Sequence, residues 1–165
     1  MSITPELYLA ASQLINHEAN CLDRRQWNEW LGLYTEDCVY WVPSWKNEEE
    51  TVSDPEVSLN LMYLKGRESL GDRVYRIESR DSFASVPLDR TSHVVGTLHV
   101  TSAEDNEIRA TANFIVHSYG LYGPNTRGGL YDLVLTGPLD ALKIAYKKIT
   151  LLDDRLETPV DIYHI

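Results

Sequence analysis

The sequence has few of the residues that cross-link a protein. It contains only two cysteines, Cys21 and Cys38, and neither belongs to a C-x-x-C or C-x-H motif. A chain of 165 residues buries roughly 70% of its unfolded surface, so it needs neither disulfides nor metals in order to fold. We therefore expect both cysteines to be reduced, buried thiols, as is usual for a cytoplasmic protein.

Long apolar runs and basic clusters are also absent. No run approaches the ~20 residues of a membrane span, and the N-terminus, MSITPELYLA, lacks the basic start and cleavage site of a signal peptide. With 15 Lys and Arg against 25 Asp and Glu, the net charge is −10. Nucleic acids and anionic membranes bind clustered Lys and Arg, so the sequence predicts neither of them as a partner. We expect a cytoplasmic location.

Helical patterns come early in the chain. Thr4 and Pro5 are suited to the start of a first helix. A second helix is predicted from Asp23 as N-cap, with Gln26 completing a capping box. A short third helix is predicted over 66–77. The apolar face of the first helix repeats near period 3.6 and consists of Leu7, Ala11, Leu14, Ile15, Ala19 and Leu22.

Strand patterns dominate later. CVYWVPSW is predicted to be a strand that lies at an edge or ends at Pro43, and RDSFASV begins a late series of strands. EDNE is predicted to be a hairpin turn and YGPNTRGG a longer loop. The order favours a single α+β domain over residues 1–165. We expect a cone-shaped, strongly curved antiparallel sheet with two or three N-terminal helices on its concave side.

The segment RDSFASVPLDRTSH, residues 80–93, contains the residue types of a Ser-His-Asp triad but no G-x-S-x-G elbow. We therefore expect a structural role, with ion pairs within the chain or across a subunit boundary, and His93 in the same network. The candidates for these contacts also include two tryptophans of an aromatic-rich strand, and the full set is Arg80, Asp81, Asp89, Arg90, His93, Trp41 and Trp45.

A second hypothesis is catalysis inside the cone. Ketosteroid isomerases and scytalone dehydratases share such an architecture, which is an analogy of fold only. A stand-alone isomerase or dehydratase would use Asp37, Tyr40 and His93 for proton transfer, with His117 and Tyr119 also within reach. The alternative is that these Tyr and His side chains belong to a core with satisfied polar ends.

Metal motifs are missing from the sequence. There is no H-E-x-x-H or H-x-H, and no His and carboxylate pair at helical ligand spacing. His93 and His99, six residues apart in a strand, are expected on one face but ~20 Å apart, too far for one ion. No metal or cofactor site is therefore predicted in this chain.

Three segments carry a resemblance to a known family, and they are HEANCLDRRQWNEWLGLYTEDCVYWVP (17–43), DRVYRIESRDSFASVPLDRTSHVVGTLHV (72–100) and LKIAYKKITLLDDRLETPVDIYHI (142–165). Together they resemble the small (β) subunit of aromatic-ring-hydroxylating dioxygenases. The details WVPSW, SDPE and RTSHVVG are most similar to the benzoate, toluate and anthranilate group. The segment 118–135 matches only in its Tyr and Gly content.

The resemblance implies a nuclear-transport-factor-like (cystatin-like) cone and a non-catalytic assembly subunit. The complex would cis-dihydroxylate an aromatic carboxylate with O₂ and electrons from an NADH-dependent reductase. It implies a large-subunit partner, with three large and three small subunits and a trimer of small ones. A Rieske [2Fe–2S] cluster and a mononuclear Fe(II) are implied on the large subunit, because this chain lacks the ligand patterns of both.

Overall fold

The computed structural model describes residues 3–80 and 86–165. Helices come first and most strands follow, which confirms the α+β class. The helices are α1 (Pro5–Asp23), α2 (Trp27–Gly32) and α3 (Gly66–Ser79), with a short 3₁₀ turn at Ile162–His164. The strands are β1 (Tyr34–Pro43), β2 (Asn60–Lys65), β3 (Arg90–Glu104), β4 (Glu107–Gly120), β5 (Gly123–Thr136) and β6 (Lys143–Leu151).

The first helix forms as its sequence predicts. The Thr4 hydroxyl accepts a hydrogen bond from the Leu7 amide at 3.3 Å, and Pro5 occupies the first turn, where its missing N–H costs nothing. The predicted apolar face is buried along its whole length. One charged residue, Glu18, is buried with it.

The start of the second helix was predicted wrongly. Asp23 is the last residue of α1, and α2 begins only at Trp27. Its N-cap, Gln26, makes no side-chain capping bond. The predicted capping box fails because the Asp23 carboxylate is already occupied by hydrogen bonds from β3.

The six strands form one sheet in the order β2-β1-β6-β5-β4-β3. Four of the neighbouring pairs are antiparallel, as predicted. The prediction is wrong for β1 and β6, which run parallel, with Tyr40 opposite Lys147. This arises because strands β3, β4, β5 and β6 run back and forth from the far edge of the sheet, which brings β6 alongside β1.

The three helices pack against one face of the curved sheet, α1 mainly on β3 and α3 mainly on β1. Bulges interrupt β3 between Gly96 and His99 and again between Val100 and Ser102. Bulges bend a strand and increase its twist, which helps the sheet to close around the helices. The core therefore lies inside the cone.

Of the two connections predicted between strands, one is confirmed and the other is wrong. EDNE is a tight hairpin turn, with Asp105 and Asn106 both at positive φ, as predicted. YGPNTRGG is not a loop, because residues 123–129 form the first half of β5. Pro124 is tolerated there because β6 pairs with β5 only from Gly129 onwards, so no neighbour needs its missing N–H.

The remaining local predictions concern Pro43, the third helix and residues 80–86. Strand β1 ends at Pro43 and the third helix is present. The predicted strand RDSFASV lies mostly outside the described residues. Within the described part of the chain, no helix is both long enough and apolar enough to cross a membrane.

Candidate functional site in the cone interior

A buried ion pair lies at the centre of the cone. Glu18 comes from the apolar face of α1 and Lys147 from β6, and Lys147 Nζ lies 3.0 Å from both carboxylate oxygens. The two side chains are only 3% and 1% exposed. Such a pair is stable only when further hydrogen bonds compensate for the loss of water.

Two aromatic donors complete the shell of Glu18. Trp30 Nε1 and Tyr34 OH donate to Oε1 at 2.7 and 2.8 Å. Burial alone would raise the pKa of Glu18, but Lys147 and these hydrogen bonds outweigh it and hold the pKa below its ordinary value. Glu18 is therefore an ionised, fully engaged carboxylate and is poorly suited to act as a general base.

Aromatic rings fill the space around the pair. Trp30 lies 5.0 Å from Tyr34 and 6.3 Å from Tyr40, measured between ring centroids. Lys147 Nζ lies 4.2 Å from the ring centre of Tyr131. Burial raises the pKa of Tyr40 and of Tyr131 well above the usual value, so both phenols remain protonated. The centre of the cone is thus packed with side chains.

The proposed catalytic set of the isomerase or dehydratase hypothesis does not assemble. Tyr40 is buried in the interior and the His93 side chain is fully buried, but Asp37, His117 and Tyr119 are exposed. A register shift between Tyr34 and Val39 turns Asp37 outward. On β4, the alternate residues Phe114, Val116 and Ser118 are the buried ones, so His117 and Tyr119 face the opposite side.

His93 pairs instead with Asp23, at the end of α1. Its Nδ1–H donates to Asp23 Oδ1 at 2.5 Å and its backbone N–H to Oδ2 at 2.8 Å, while Thr91 Oγ1 donates to Oδ1 at 2.9 Å. Burial alone would raise the pKa of Asp23, but the bonds from His93 and Thr91 lower it. This contact joins α1 to β3.

This contact was not predicted from the sequence, although both of its halves lie in the segments that carry the family resemblance. Asp23 lies in segment 17–43, and Thr91 and His93 lie in segment 72–100. Sequence alone could not show that the two patterns meet, because Asp23 and His93 are 70 residues apart.

Asp89 contacts the C-terminal turn. His164 Nδ1 accepts the Asp161 amide at 3.0 Å, so its proton is on Nε2, which donates to Asp89 Oδ2 at 3.0 Å. Burial lowers the pKa of His164, although Asp89 opposes this effect. Gly120 lies against the same carboxylate, where a Cβ would clash with the Asp89 side chain.

The residues of the predicted ion-pair network therefore have separate partners and do not form one network. Among residues 3–80 and 86–165, no ion pair joins Arg80, Asp89, Arg90 and His93 to one another. Arg80 and Arg90 are exposed, and Arg90 lies 5.4 Å from the ring centre of Tyr119. Asp81 lies outside the described residues.

The two tryptophans proposed as interface residues make contacts within the chain. Trp41 is buried, and its indole donates to Asn60 Oδ1 at 2.6 Å. Trp45 is half-buried and donates to the Leu151 carbonyl at 2.8 Å. In the isolated chain, both rings therefore have structural partners.

His93 and His99 do not share a face, contrary to the prediction. The bulge that includes Thr97, at φ 48°, changes the alternation, so that His93 points inward and His99 is exposed. An even spacing predicts a common face only in a strand without a bulge.

The donor sets of the described residues do not fit either iron site of a ring-hydroxylating oxygenase. One group of three candidate ligands converges within residues 3–80 and 86–165, namely His17, Cys21 and Glu29. A Rieske centre needs two Cys and two His, and the mononuclear site needs two His and a carboxylate. His17 and Cys21, one helical turn apart, were not recognised as a pair from the sequence.

The interior ion pair was also missed, although the sequence contains a signal for it. Glu18 follows Leu14 and Ile15 at helical spacing within the apolar face, and Lys147 has the same parity as Ile149 and Leu151 in β6. A single charge at an apolar position of each element, with opposite signs, is the pattern of a buried pair.

Comparisons with known proteins agree with this geometry. The sequence model of the family described as ring hydroxylating beta subunit matches residues 17–158. The chain is 32% identical to the small subunit of 2-halobenzoate 1,2-dioxygenase from Burkholderia cepacia, with 96% of each chain covered. It is 30% identical to the β subunit of benzoate 1,2-dioxygenase from Acinetobacter baylyi, covering 93% of this chain and 91% of the relative.

A solved structure shows the same fold. The β subunit of benzoate 1,2-dioxygenase from Burkholderia mallei superimposes with a TM-score of 0.81 and 30% identity, covering 100% of this chain and 99% of that one. The fold is that of a cone-fold subunit with a packed interior, and the family matches make it a component of an oxidoreductase. The chain belongs to the ring-hydroxylating β-subunit family.

Proposed function

We propose that this chain is the non-catalytic assembly subunit of a multicomponent dioxygenase that cis-dihydroxylates an aromatic carboxylate. The observation that carries the proposal is the likeness, over nearly the whole chain, to small subunits of benzoate and 2-halobenzoate dioxygenases. The interior supports it, because the ion pair and the aromatic rings occupy the space in which a cone-fold enzyme would bind substrate.

The chemistry is proposed to occur on a large-subunit partner. That subunit would carry the Rieske cluster and the mononuclear Fe(II), whose donor sets the described residues of this chain do not supply. We propose three large and three small subunits, with the small ones forming a trimer. Electrons would arrive from NADH through a separate reductase.

The surface proposed for subunit contact is a groove beside residues 86–90. It has a volume of about 830 Å³, and three arginines line it, Arg25, Arg80 and Arg90. Glu78 is the one carboxylate among the described lining residues. In a chain with a net charge of −10, such a local excess of cations suits a carboxylate-rich surface of a partner subunit.

The test is reconstitution with a dioxygenase large subunit from the same source organism. Three preparations, each supplied with reductase and NADH, are assayed for O₂ uptake with benzoate: this chain, the large subunit, and both together. We expect a hetero-oligomer, with turnover and cis-diol only when both subunits are present. Bound iron or turnover in this chain alone would refute the proposal, as would failure of the two subunits to associate.

A further inference from the structure

A cluster of three different metal-ligating side chains lies where α1 meets α2, outside the cone interior. His17 and Cys21 are on α1 and Glu29 is on α2. His17 Nε2 lies 2.9 Å from Glu29 Oε1 and 3.8 Å from Cys21 Sγ. The three donor atoms all lie within 4.8 Å of one another.

Local structure fixes this juxtaposition. Residues four apart on a helix project from the same face, which brings His17 and Cys21 together. The chain then reverses tightly, with the Gln26 amide donating to the Cys21 carbonyl at 2.8 Å. Gln26 also begins α2, because its carbonyl accepts from the Trp30 amide at 2.9 Å. Glu29 is therefore held over the turn of α1 that carries the other two donors.

The cluster is closed on one side and open on the other. Cys21 is buried, whereas the side chains of His17 and Glu29 are 42% and 49% exposed. An ion could enter from solvent, and water could occupy a fourth position.

We propose that His17, Cys21 and Glu29 form a Zn²⁺ site that links α1 to α2. Cysteine sulfur, imidazole nitrogen and carboxylate oxygen are the three protein donors that zinc uses, in a tetrahedron that water can complete. A sulfur and a nitrogen donor disfavour Mg²⁺ and Ca²⁺, which prefer oxygen ligands. The donor atoms are already close enough that side-chain rotations suffice to enclose an ion.

The protons balance without any redox change. Zinc would take the sulfur as a thiolate, and the thiol proton would go to solvent. The proton that His17 Nε2 now donates to Glu29 would move to Nδ1 by exchange with solvent, so that the imidazole stays neutral and offers Nε2 to the zinc. Burial raises the pKa of Cys21 to about 11, with Glu29 and Glu18 adding to the effect.

The experiment uses the full chain without its partner, stripped with chelator and titrated with Co²⁺ as the spectroscopic probe. We expect one Co²⁺ per chain, a thiolate-to-cobalt charge-transfer band in the near ultraviolet, and loss of the band when Zn²⁺ is added. Absence of the band, or binding without thiolate character, would overturn the proposal.

Point variants test whether these three residues form the site. Cys21→Ser should abolish the band, and His17→Gln and Glu29→Gln should each weaken binding by at least ~10-fold, as expected for a lost ligand. Cys38→Ser is the matched control, because Cys38 is also buried but lies outside the cluster, and it should retain the band. If Cys21→Ser fails to fold, the two exposed positions still decide the question. Unchanged affinity in both of those variants would refute the site.

Discussion

Asp23 and His93 join the end of the first helix to the third strand through both oxygens of one carboxylate. The imidazole and the backbone amide of His93 each donate to a different oxygen, at 2.5 and 2.8 Å. Two sequence patterns that look unrelated in the chain are therefore parts of one structural contact.

Asp23→Ala should destabilise the chain by ~1–3 kcal/mol, because it leaves buried donors on His93 and Thr91 without an acceptor. Urea unfolding measures the change. Asp37→Asn is the control: Asp37 is exposed and should change the unfolding free energy by less than ~0.5 kcal/mol. Equal midpoints for wild type and Asp23→Ala would show that the contact contributes little.

The ion pair in the interior predicts a strongly non-additive double-mutant cycle. Glu18→Leu or Lys147→Met should each cost ~3–5 kcal/mol, since each leaves one buried charge unpaired. The double variant should recover part of that loss, because it removes both charges but leaves Trp30 and Tyr34 without their acceptor. Urea unfolding of the four proteins gives the coupling energy. Additive losses would mean that the two side chains do not depend on each other.

His164 predicts a loss of stability in weak acid. Burial holds its folded-state pKa below the unfolded value of about 6.5. Between these two values the unfolded chain binds more protons, so the free energy of unfolding falls as pH decreases from about 6.5 towards the lowered pKa. The measurement is unfolding free energy from pH 7.5 to pH 5 for wild type and His164→Gln.

The variant should show a shallower pH slope than wild type in that window. Identical slopes would assign the titration to other groups. Asp23 contributes with the same sign, but below its own unfolded value near 3.8, outside the range measured.

Gly129 should not tolerate a side chain. A Cβ there would lie 2.2 Å from the Thr150 carbonyl oxygen on β6 and 2.8 Å from the Phe114 ring. Gly129→Ala should therefore cost at least ~1–3 kcal/mol or prevent folding. Gly96→Ala is the matched control within the same sheet, because nothing lies within 4 Å of its Cβ position. Thermal unfolding compares the two, and similar melting temperatures would contradict the predicted clash.

Arg90→Ala tests the arginine-lined groove. Arg90 is exposed and makes no described ion pair within the chain, so we expect normal folding and weaker assembly with the large subunit. Sedimentation velocity of the reconstituted complex measures this effect. Arg109→Ala removes an exposed arginine at the opposite end of the sheet, where it pairs with Glu107, and should leave assembly unchanged. Normal assembly with poor turnover in Arg90→Ala would contradict a structural role.

Much of the fold was predictable because hydrophobic periodicity and turn-forming residues depend only on neighbouring positions in the sequence. The apolar face of α1, the Thr4 cap and the EDNE hairpin all follow from neighbouring residues. The errors have long-range causes. Asp23 does not cap α2 because β3 uses its carboxylate, and YGPNTRGG is not a loop because residues 123–129 pair with β4.

The site was harder to predict than the fold. The even spacing of His93 and His99 predicted that the two side chains share a face of the strand. The bulge between Gly96 and His99 places them differently. Tyr40 was correctly placed inside the cone. Glu18 and Lys147 were overlooked because neither was assigned to the apolar pattern of its element, and they meet across 129 residues of sequence.

The position of β6 has a consequence for how the chain acquires its structure. Its neighbours in the sheet are β1, near the beginning of the chain, and β5. Until residues 143–151 emerge from the ribosome, β1 lacks its parallel partner and Glu18 has no countercharge. Long-range pairing of this kind slows folding. The nascent chain is therefore expected to remain vulnerable to proteases and aggregation until β6 has been synthesised.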